Sequence, residues 1–424
     1  MSMFSAIRSA WALLLGLAFL MLGNGLQGTL LGVRASLEGF STQTTGVVMT
    51  GYFVGFLVGS ILGPKFVKNV GHIRVFAALA SVLSAAILLH SIFVEPMVWF
   101  AIRVVNGFAV AGLYLVVESW LNDAATNRTR GQLLSVYMVI VLGGMAAGQF
   151  LLNVASPAGF ELFILVSVLV SFSLVPISLT ITRAPKFEAP AHVSLRAMYR
   201  NSPLGLVGCL IVGIAQGALM GMGAVYAREI GMGVADVSLF MATALAGGVV
   251  LQWPVGHISD LFDRRIVITV VTLLAAVAAL VGGFAGDESR WVLLVAIFFF
   301  GGTCFPVYSL CIAYSNDYLQ PEQMVAASGT LILVAGIGAS VGPILAAALM
   351  SVSGPAGFFW CLAGVHITIG LFALYRMTRR PALPHDEQTD YQPMPARSTP
   401  MAASITQATI RDHRDRDLAR WSKM

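Results

Sequence analysis

The chain has 424 residues, of which 57% are hydrophobic and 11% are charged, and its formal net charge is +5. Soluble proteins carry roughly 25% charged residues, so a water-soluble protein of this size is excluded and lipid is the expected solvent for the surface. The four cysteines lie in apolar runs and show neither metal-ligand spacing nor a disulfide framework; they are Cys209, Cys304, Cys311 and Cys361.

Twelve apolar runs are long enough to cross a bilayer, which requires about 20 residues in a helix. The first run is too long for the core of a signal peptide and is expected to be retained. The sequence therefore predicts an all-α polytopic membrane protein with twelve transmembrane helices, at residues 10–33, 44–66, 73–94, 97–119, 132–154, 160–182, 204–227, 235–258, 266–286, 291–314, 324–350 and 355–375.

The basic residues are distributed very unevenly between the two sides of these spans. On the side shared by both termini lie 21 of the 25 Lys and Arg residues, and the other side has Arg34, Arg228 and Arg290. Cytoplasmic loops carry an excess of Lys and Arg, which predicts that both termini are cytoplasmic. The positive net charge thus reflects topology, and nucleic-acid binding is not expected.

Short strings recur in the same order across the middle of the chain, about 190–200 residues apart, which indicates an internal repeat. Gln27-Gly28 recurs as Gln216-Gly217, and Asn122-Asp123 recurs as Asn316-Asp317. We expect two six-helix bundles related by a pseudo-twofold axis along the membrane normal. The predicted division is an N-terminal bundle (1–182), a cytoplasmic linker (183–203), a C-terminal bundle (204–376) and a disordered cytoplasmic tail (377–424).

A stripe of glycines runs along span two at four-residue spacing, which allows another helix to approach closely. It consists of Gly51, Gly55, Gly59 and Gly63. We predict that this stripe packs against Gly338 and Gly342 of span eleven.

Arg103 is the one basic residue placed inside a span. It lies about six positions into span four, about 9 Å from the outer boundary. An arginine at the centre of the bilayer costs about 2.5–3.5 kcal/mol on insertion scales, so it is expected to face a cavity or a partner. The alternative is a side chain that reaches back to the outer surface.

Glu118 lies 15 residues beyond Arg103, about 22 Å along the same helix, so the two cannot pair in one conformation. One interpretation is a protonatable group at the inner gate. The other is a solvated helix end that bonds to Arg128 or Arg130.

Two connections resemble the loop motif of the major facilitator superfamily. The first includes Gly63, Lys68, Gly71 and Arg74, and the second includes Gly256, Asp260, Arg264 and Arg265. Arg103, Asn106 and Gly107 are similar to that superfamily's Arg-xxx-Gly signature in span four. The segments 117–120 and 128–133 are similar to its YcaD-like branch.

The resemblance implies alternating access between two rocking bundles, with these loops as gating elements. Val67 and Asp263 depart from the motif, which has an acidic residue and a glycine at those positions. In the family that acidic residue helps to lock the cytoplasmic gate. Gating is therefore expected to depend on the second loop or on packing.

Spans one and seven build the substrate cavity in that superfamily, and here they carry Asn24, Gln27 and Gln216. Polar residues on other spans are further candidates for the cavity: Tyr114, Gln149, Gln252, Trp253 and Tyr308. Each of these groups could equally serve as a polar contact between helices.

Other motifs in the chain lack the context that their chemistry needs. The G-x-S-x-G match at 338–342 lies in an apolar helix with no preceding strand. There is no G-x-x-x-x-G-K-[ST] phosphate-binding loop. No enzyme activity, metal or cofactor is predicted. In the tail, residues 410–423 could form a short helix on the membrane surface, although a solvated tail is favoured.

These features predict a secondary active transporter that moves a small solute across the bacterial cytoplasmic membrane, coupled to a proton gradient. A monomer in the lipid bilayer is expected, with the solute and protons as its partners. One arginine and no deep carboxylate in the spans favour an anionic or neutral solute. The alternatives are a multidrug efflux pump of the same fold and a membrane sensor or scaffold that transports nothing.

Overall fold

Twelve membrane-length helices form in a computed structural model of the chain, which confirms the predicted number. The structure describes residues 3–125, 129–179, 193–286, 289–384, 388–389, 391–394 and 398–402. The first half contains α1 (Met3–Leu37), α2 (Thr42–Val70), α3 (His72–Ile92), α4 (Pro96–Ala124), α5 (Arg130–Phe150) and α6 (Glu161–Ser178). The short helix α7 (Leu195–Asn201) lies in the predicted linker, most of which is outside the described residues.

The second half contains α8 (Pro203–Glu229), α9 (Val234–Leu261), α10 (Arg264–Ala285), α11 (Arg290–Asn316), α12 (Pro321–Ser353) and α13 (Gly357–Met377). A single 3-10 turn, Leu151–Asn153, follows α5.

Local side-chain chemistry sets where several helices begin. The Ser41 hydroxyl accepts a hydrogen bond from the Thr44 amide at 3.2 Å, and the Glu95 carboxylate accepts one from the Val98 amide at 2.9 Å. Each bond satisfies an amide that the first turn of a helix leaves without a partner. Between α2 and α3 the chain reverses at Gly71, whose φ of +93° favours glycine. The connection in the first candidate gating loop is therefore a single residue between two helices.

The two halves use the same helix pairings. In the first half α1 packs on α5 and α6, α2 on α4, and α3 on α4 and α6. In the second half α8 packs on α12 and α13, α9 on α11, and α10 on α11 and α13. The chain thus folds as two equivalent six-helix bundles, as the repeat predicts.

Direct contact between the halves includes hydrogen bonds at one face of the molecule. We call the face with loops 63–74 and 256–265 the basic face, and the other the opposite face. At the opposite face, the Thr42 hydroxyl donates to Glu229 at 2.5 Å and the Gln43 amide donates to Ser351 at 3.1 Å. The Asn153 amide donates to Ser238 there, at 3.1 Å. The halves are thus joined at the opposite face.

The glycine stripe of α2 packs on a different helix from the one predicted. A Cβ added at Gly51 or Gly59 would lie 2.7 Å from the carbonyl oxygen of Phe100 or Phe108, both on α4. Gly55 is pressed against the backbone of Val104, and a Cβ at Gly63 would lie 3.0 Å from the Leu115 side chain. The stripe therefore belongs to packing within the first half.

Gly338 and Gly342 likewise pack within their own half, against the backbone of α8 at Leu210 and Ile214. The predicted contact between them and the α2 stripe is therefore wrong. Helix α2 does meet α12, but through Gly46, which lies against Ala347. Small-residue spacing identifies a face that allows close approach, and it carries no information about which helix approaches.

The described parts of the tail differ from the disorder expected for residues 377–424. Residues 398–402 are buried together with Tyr391 and Met394, between the halves at the basic face. Their apolar side chains remove surface from water that a free tail would leave exposed. The predicted surface helix at 410–423 lies outside the described residues.

Candidate functional site

A small cavity, about 50 Å³ in volume, lies between the two halves. Helices α2 and α5 line it from the first half, and α8, α9, α11 and α12 line it from the second. Its polar lining groups are few, and most of its wall is aliphatic or aromatic. Among the lining residues are Tyr52, Phe53, Phe56, Ser60, Met145, Gln216, Met220, Phe305 and Ser398.

Arg103 lies behind one wall of this cavity. Its side chain is 4% exposed, and the guanidinium carbon lies 4.7 Å from the centre of the Tyr52 ring. Tyr52 itself lines the cavity and donates to the side-chain oxygen of Asn24 at 3.4 Å. A cation over an aromatic face is stabilised by the ring quadrupole, most strongly where water is excluded. Tyr52 thus connects the buried charge to the cavity surface.

Several buried amides near this wall keep polar atoms without a partner. Within the described residues, the amide nitrogens of Asn24, Gln27 and Gln216 and both polar atoms of Asn106 form no hydrogen bond. All four side chains are more than nine-tenths buried. Buried polar groups normally have partners, so these unpaired atoms are unusual. Of the four side chains, Gln216 stands directly on the cavity wall.

Other predicted cavity residues hold helices together. The Gln149 amide donates to the Gly25 carbonyl at 3.0 Å and accepts from the Thr29 hydroxyl, which joins α5 to α1. The Tyr114 hydroxyl donates to the sulfur of Met21 at 2.9 Å. Tyr308 is buried within α11. None of these three is among the lining residues of the cavity.

Gln252 and Trp253 face a second groove between α5 and α9 at the basic face. Trp253 is 74% exposed and stacks on His257, with ring centres 5.4 Å apart. The Gln252 amide donates to the Tyr391 hydroxyl at 2.8 Å. The structure therefore places both residues outside the central cavity.

The lining residues that sequence reasoning missed are mainly apolar. Tyr52, Phe56 and Phe305 carry no local signal that separates them from lipid-facing residues. Only the arrangement of the helices shows which apolar face is turned inward.

Glu118 is fully buried near the basic end of α4. Its carboxylate accepts a hydrogen bond from the Tyr137 hydroxyl at 2.7 Å. It also accepts from the backbone amide of Thr399 at 3.1 Å and from the Thr399 hydroxyl. Of the predicted alternative partners, Arg128 and the Arg130 side chain lie outside the described residues.

The second candidate gating loop, 256–265, carries a cluster of buried charges. One terminal nitrogen of Arg264 donates to both carboxylate oxygens of Asp317 at 2.7 Å, and the other donates to Asp260 at 3.3 Å. Burial raises the pKa of Asp317 above its ordinary value, although Arg264 acts in the opposite direction. Gly256 of the same motif lies against the Tyr391 ring.

Arg265 forms a separate pair with Asp263 at 2.7 Å. Burial acts to raise the pKa of Asp263, but the hydrogen bonds from Arg265 outweigh it and hold that pKa below its ordinary value. The two adjacent arginines thus form three ion pairs, of which those with Asp260 and Asp263 lie within the second loop.

The first gating loop has a different composition and different contacts. Lys68 and Arg74 are exposed, whereas Val67, which stands where the motif has an acidic residue, is buried. Near this loop, the ring nitrogen of His72 lies 2.8 Å from the Ser119 hydroxyl. In the described structure, charge pairing at the basic face is thus concentrated on the second loop.

Twelve spans in two equivalent bundles around a central cavity define a polytopic membrane transporter, and comparison with known proteins gives the family. The sequence profile of the Major Facilitator Superfamily matches residues 13–235 and 204–414. The uncharacterized MFS-type transporter YcaD of Escherichia fergusonii is 30% identical over 382 residues, covering 89% of this chain and 98% of that protein. YcaD of Escherichia coli O139:H28 is 30% identical over 348 residues, covering 81% and 89% respectively.

Solved structures show the same fold. The nucleoside transporter NupG has a TM-score of 0.69 at 12% identity, covering 89% of this chain and 99% of NupG. A D-xylose-proton symporter has a TM-score of 0.66 at 14% identity, covering 88% and 97% respectively. The chain belongs to the major facilitator superfamily and is similar to its YcaD-like members. It is a multi-pass membrane transporter that binds a small molecule, and it is not an enzyme.

Proposed function

We propose that this protein is a secondary active transporter that moves a small neutral or anionic solute across the bacterial inner membrane by alternating access. The excess of basic residues on one side supports a cytoplasmic position for the basic face and both termini. The halves are joined at the opposite face, so the route from the cavity in this conformation leads to the cytoplasmic side.

The observation that carries the proposal is the central cavity with buried amides beside it. Gln216 offers a hydrogen-bond donor on a wall that is otherwise mainly apolar. A compact solute with an apolar body and hydrogen-bond acceptors fits that surface. Arg103, placed behind Tyr52, makes the wall electropositive and favours acceptors and anions over cations.

The direct experiment is counterflow in proteoliposomes with a panel of neutral and anionic solutes of this kind. Once a substrate is found, Gln216→Leu should raise its KM about tenfold, since one lost hydrogen bond is worth about 1–1.5 kcal/mol. Gln149→Leu is the matched control, because that amide already has partners and is not a lining residue. An unchanged KM for Gln216→Leu would remove this residue from the binding site.

Arg103 and Glu118 are proposed to serve the coupling step. Arg103→Ala should abolish transport of the identified substrate while the protein still folds. Glu118→Gln keeps the shape of the side chain and removes its charge, so the stimulation of uptake by an imposed proton gradient should disappear. Stimulation that persists in Glu118→Gln would exclude Glu118 as the proton carrier.

A multidrug exporter is the second candidate, favoured by the aromatic wall that includes Phe53, Phe56 and Phe305. It predicts that a deletion strain becomes hypersensitive to several lipophilic cations. Unchanged sensitivity, together with counterflow of an anionic solute, would decide for the first proposal.

A further inference from the structure

Described residues of the C-terminal tail lie across the basic face of the cavity and contact both halves. Residues 389 and 391 lie at the charged cluster around Arg264. There the Thr389 amide and hydroxyl each donate to Asp317 at 2.8 Å, and the Thr389 carbonyl accepts from Arg264 at 2.6 Å. The Tyr391 amide donates to Asp260 at 2.8 Å. This part of the tail is therefore bound by Asp260 and Arg264 of the loop motif and by Asp317.

The middle of the described tail is bound to α11. The Met394 amide donates to the Ser309 hydroxyl at 3.0 Å, and the Ser309 hydroxyl lies 3.2 Å from the Met394 carbonyl. The Met394 side chain is buried. The Ser309 hydroxyl thus hydrogen-bonds both the backbone amide and the backbone carbonyl of Met394.

The last described part of the tail reaches the first half. Ser398 lines the central cavity itself. Both the amide and the hydroxyl of Thr399 donate to Glu118. Pro400 lies against Gly329 of α12, where a Cβ would be 3.1 Å from the Cβ of Pro400.

These contacts have the character of ligand binding. The tail places backbone amides and hydroxyls on the buried carboxylates of Asp317 and Glu118 and on the partly exposed Asp260, and buries Tyr391, Met394 and Met401 among apolar side chains. A polar segment remains ordered only where such contacts offset its conformational entropy. Charge-assisted hydrogen bonds to buried carboxylates are among the stronger ones available.

We propose that the described tail residues, 388–389, 391–394 and 398–402, are an intramolecular ligand that seals the basic-face mouth of the cavity, and that they must leave before solute passes there. Because this ligand holds Asp317 on one half and Glu118 on the other, it also fixes the halves in their present relative position. The protein is therefore autoinhibited in this state. Regulation of transport rests on the proposed function, whereas occlusion of the mouth by the tail does not.

Thiol labelling tests occlusion without any substrate. Ser60 lines the cavity ten residues from the end of α2, about 15 Å from the basic face. In full-length Ser60→Cys protein, a membrane-impermeant maleimide applied from the basic face should react slowly. The protein that retains its four buried native cysteines and lacks this substitution gives the background rate.

Adding Thr399→Asp places a second carboxylate beside buried Glu118, which should expel the tail and raise the labelling rate of the Ser60→Cys thiol by about tenfold or more. Thr399→Ser keeps both donors and is the matched control. Equal labelling of the Thr399→Asp and Thr399→Ser proteins would overturn the proposal.

A disulfide gives the converse test if Thr399→Asp fails to fold. Gly329→Cys with Pro400→Cys brings the two Cβ atoms close to the usual disulfide separation of about 3.5–4.5 Å. In the Ser60→Cys background, the oxidised protein should label at position 60 no faster than the unlocked chain. It should not transport, and a reductant should restore transport. Transport by the oxidised pair at the rate of the reduced pair would refute autoinhibition. A protein that transports no solute but passes the labelling test would reject the proposed function and leave the seal intact.

Discussion

The two halves of this transporter agree in packing and differ in charge. The internal repeat aligns Gly107 with Gly301 and Asp123 with Asp317. The two aligned glycines also have equivalent neighbours. Gly107 lies against the backbone of Tyr52 on α2, and Gly301 lies against that of Ala244 on α9. Backbone approach between helices is thus the property that the repeat preserves.

The same alignment shows where the halves diverge. It places Ile297 opposite Arg103 and Ile312 opposite Glu118, so the buried charges of this helix pair belong to the first half. At the basic face the buried charge belongs to the second half instead. Asp317 is buried and paired with Arg264, whereas Asp123 is exposed. Shared positions build the scaffold, and the positions that differ carry the candidate chemistry. The tail connects the two halves, since it binds Asp317 of the second half and Glu118 of the first.

The largest expected effect tests the difference in buried charge between the two halves. Asp317→Ala leaves the buried Arg264 without its main partner and should destabilise the protein by about 3–5 kcal/mol. Asp123→Ala, the equivalent change in the first half, should stay within about 0.5 kcal/mol. Thermal unfolding in detergent measures both. Similar losses in the two variants would show that the halves are less different than the structure indicates.

A second variant checks the origin of that loss. Asp317→Leu combined with Arg264→Met removes both charges and should recover much of the stability. If the double variant is as unstable as Asp317→Ala, the loss comes from packing or from the tail and not from an uncompensated charge.

The next largest effect tests whether the glycine contacts of the two halves are equivalent. Gly55→Ala and Gly247→Ala each press a methyl group into the backbone of the neighbouring helix, at Val104 and Phe298 respectively. Each should cost about 1–3 kcal/mol, by similar amounts in the two halves. Gly28→Ala, where no atom lies within 4 Å of the added methyl group, is the control and should be neutral. A large difference between Gly55→Ala and Gly247→Ala would contradict equivalent packing.

The smallest effect concerns pH. The pKa of Asp263 is held below its ordinary value, so its pair with Arg265 stabilises the folded protein above the unfolded carboxyl pKa of about 3.9. This contribution, about 1 kcal/mol or less, is lost as pH falls through the lower folded pKa. Asp263→Asn should therefore be less stable than the unaltered protein at pH 7, and the difference should vanish in strong acid. A difference that is constant with pH would exclude this ionisation as its cause.

The sequence predicted a large part of the fold because the bilayer imposes strong local rules. Span length, the charge deficit and the repeated strings each depend on a few neighbouring residues. The expectation that gating depends on the second loop or on packing stays a prediction. The ion pairs of that loop join residues close together in the chain, Arg264 with Asp260 and Arg265 with Asp263. The sequence did not show which helix packs against the glycine stripe of α2, and the prediction that span eleven does so was wrong.

The candidate site was predicted less well, and the reason is physical. Gln149 and Gln216 look alike in sequence, yet one has its hydrogen bonds within the scaffold and the other stands on the cavity wall. A polar residue in a span signals only that its burial must be compensated, and the compensating partner lies on another helix.

The sequence by itself determined the solvent of this protein, its twelve spans, its repeat and the uneven distribution of its basic residues, because these follow from local composition and period. The tertiary structure alone decided which side chains line the cavity, that Arg103 lies over Tyr52, and that Thr399 reaches Glu118 from 281 positions away. Contacts of such separation depend on how whole helices and the tail are placed relative to one another, and no local pattern in the chain encodes that placement.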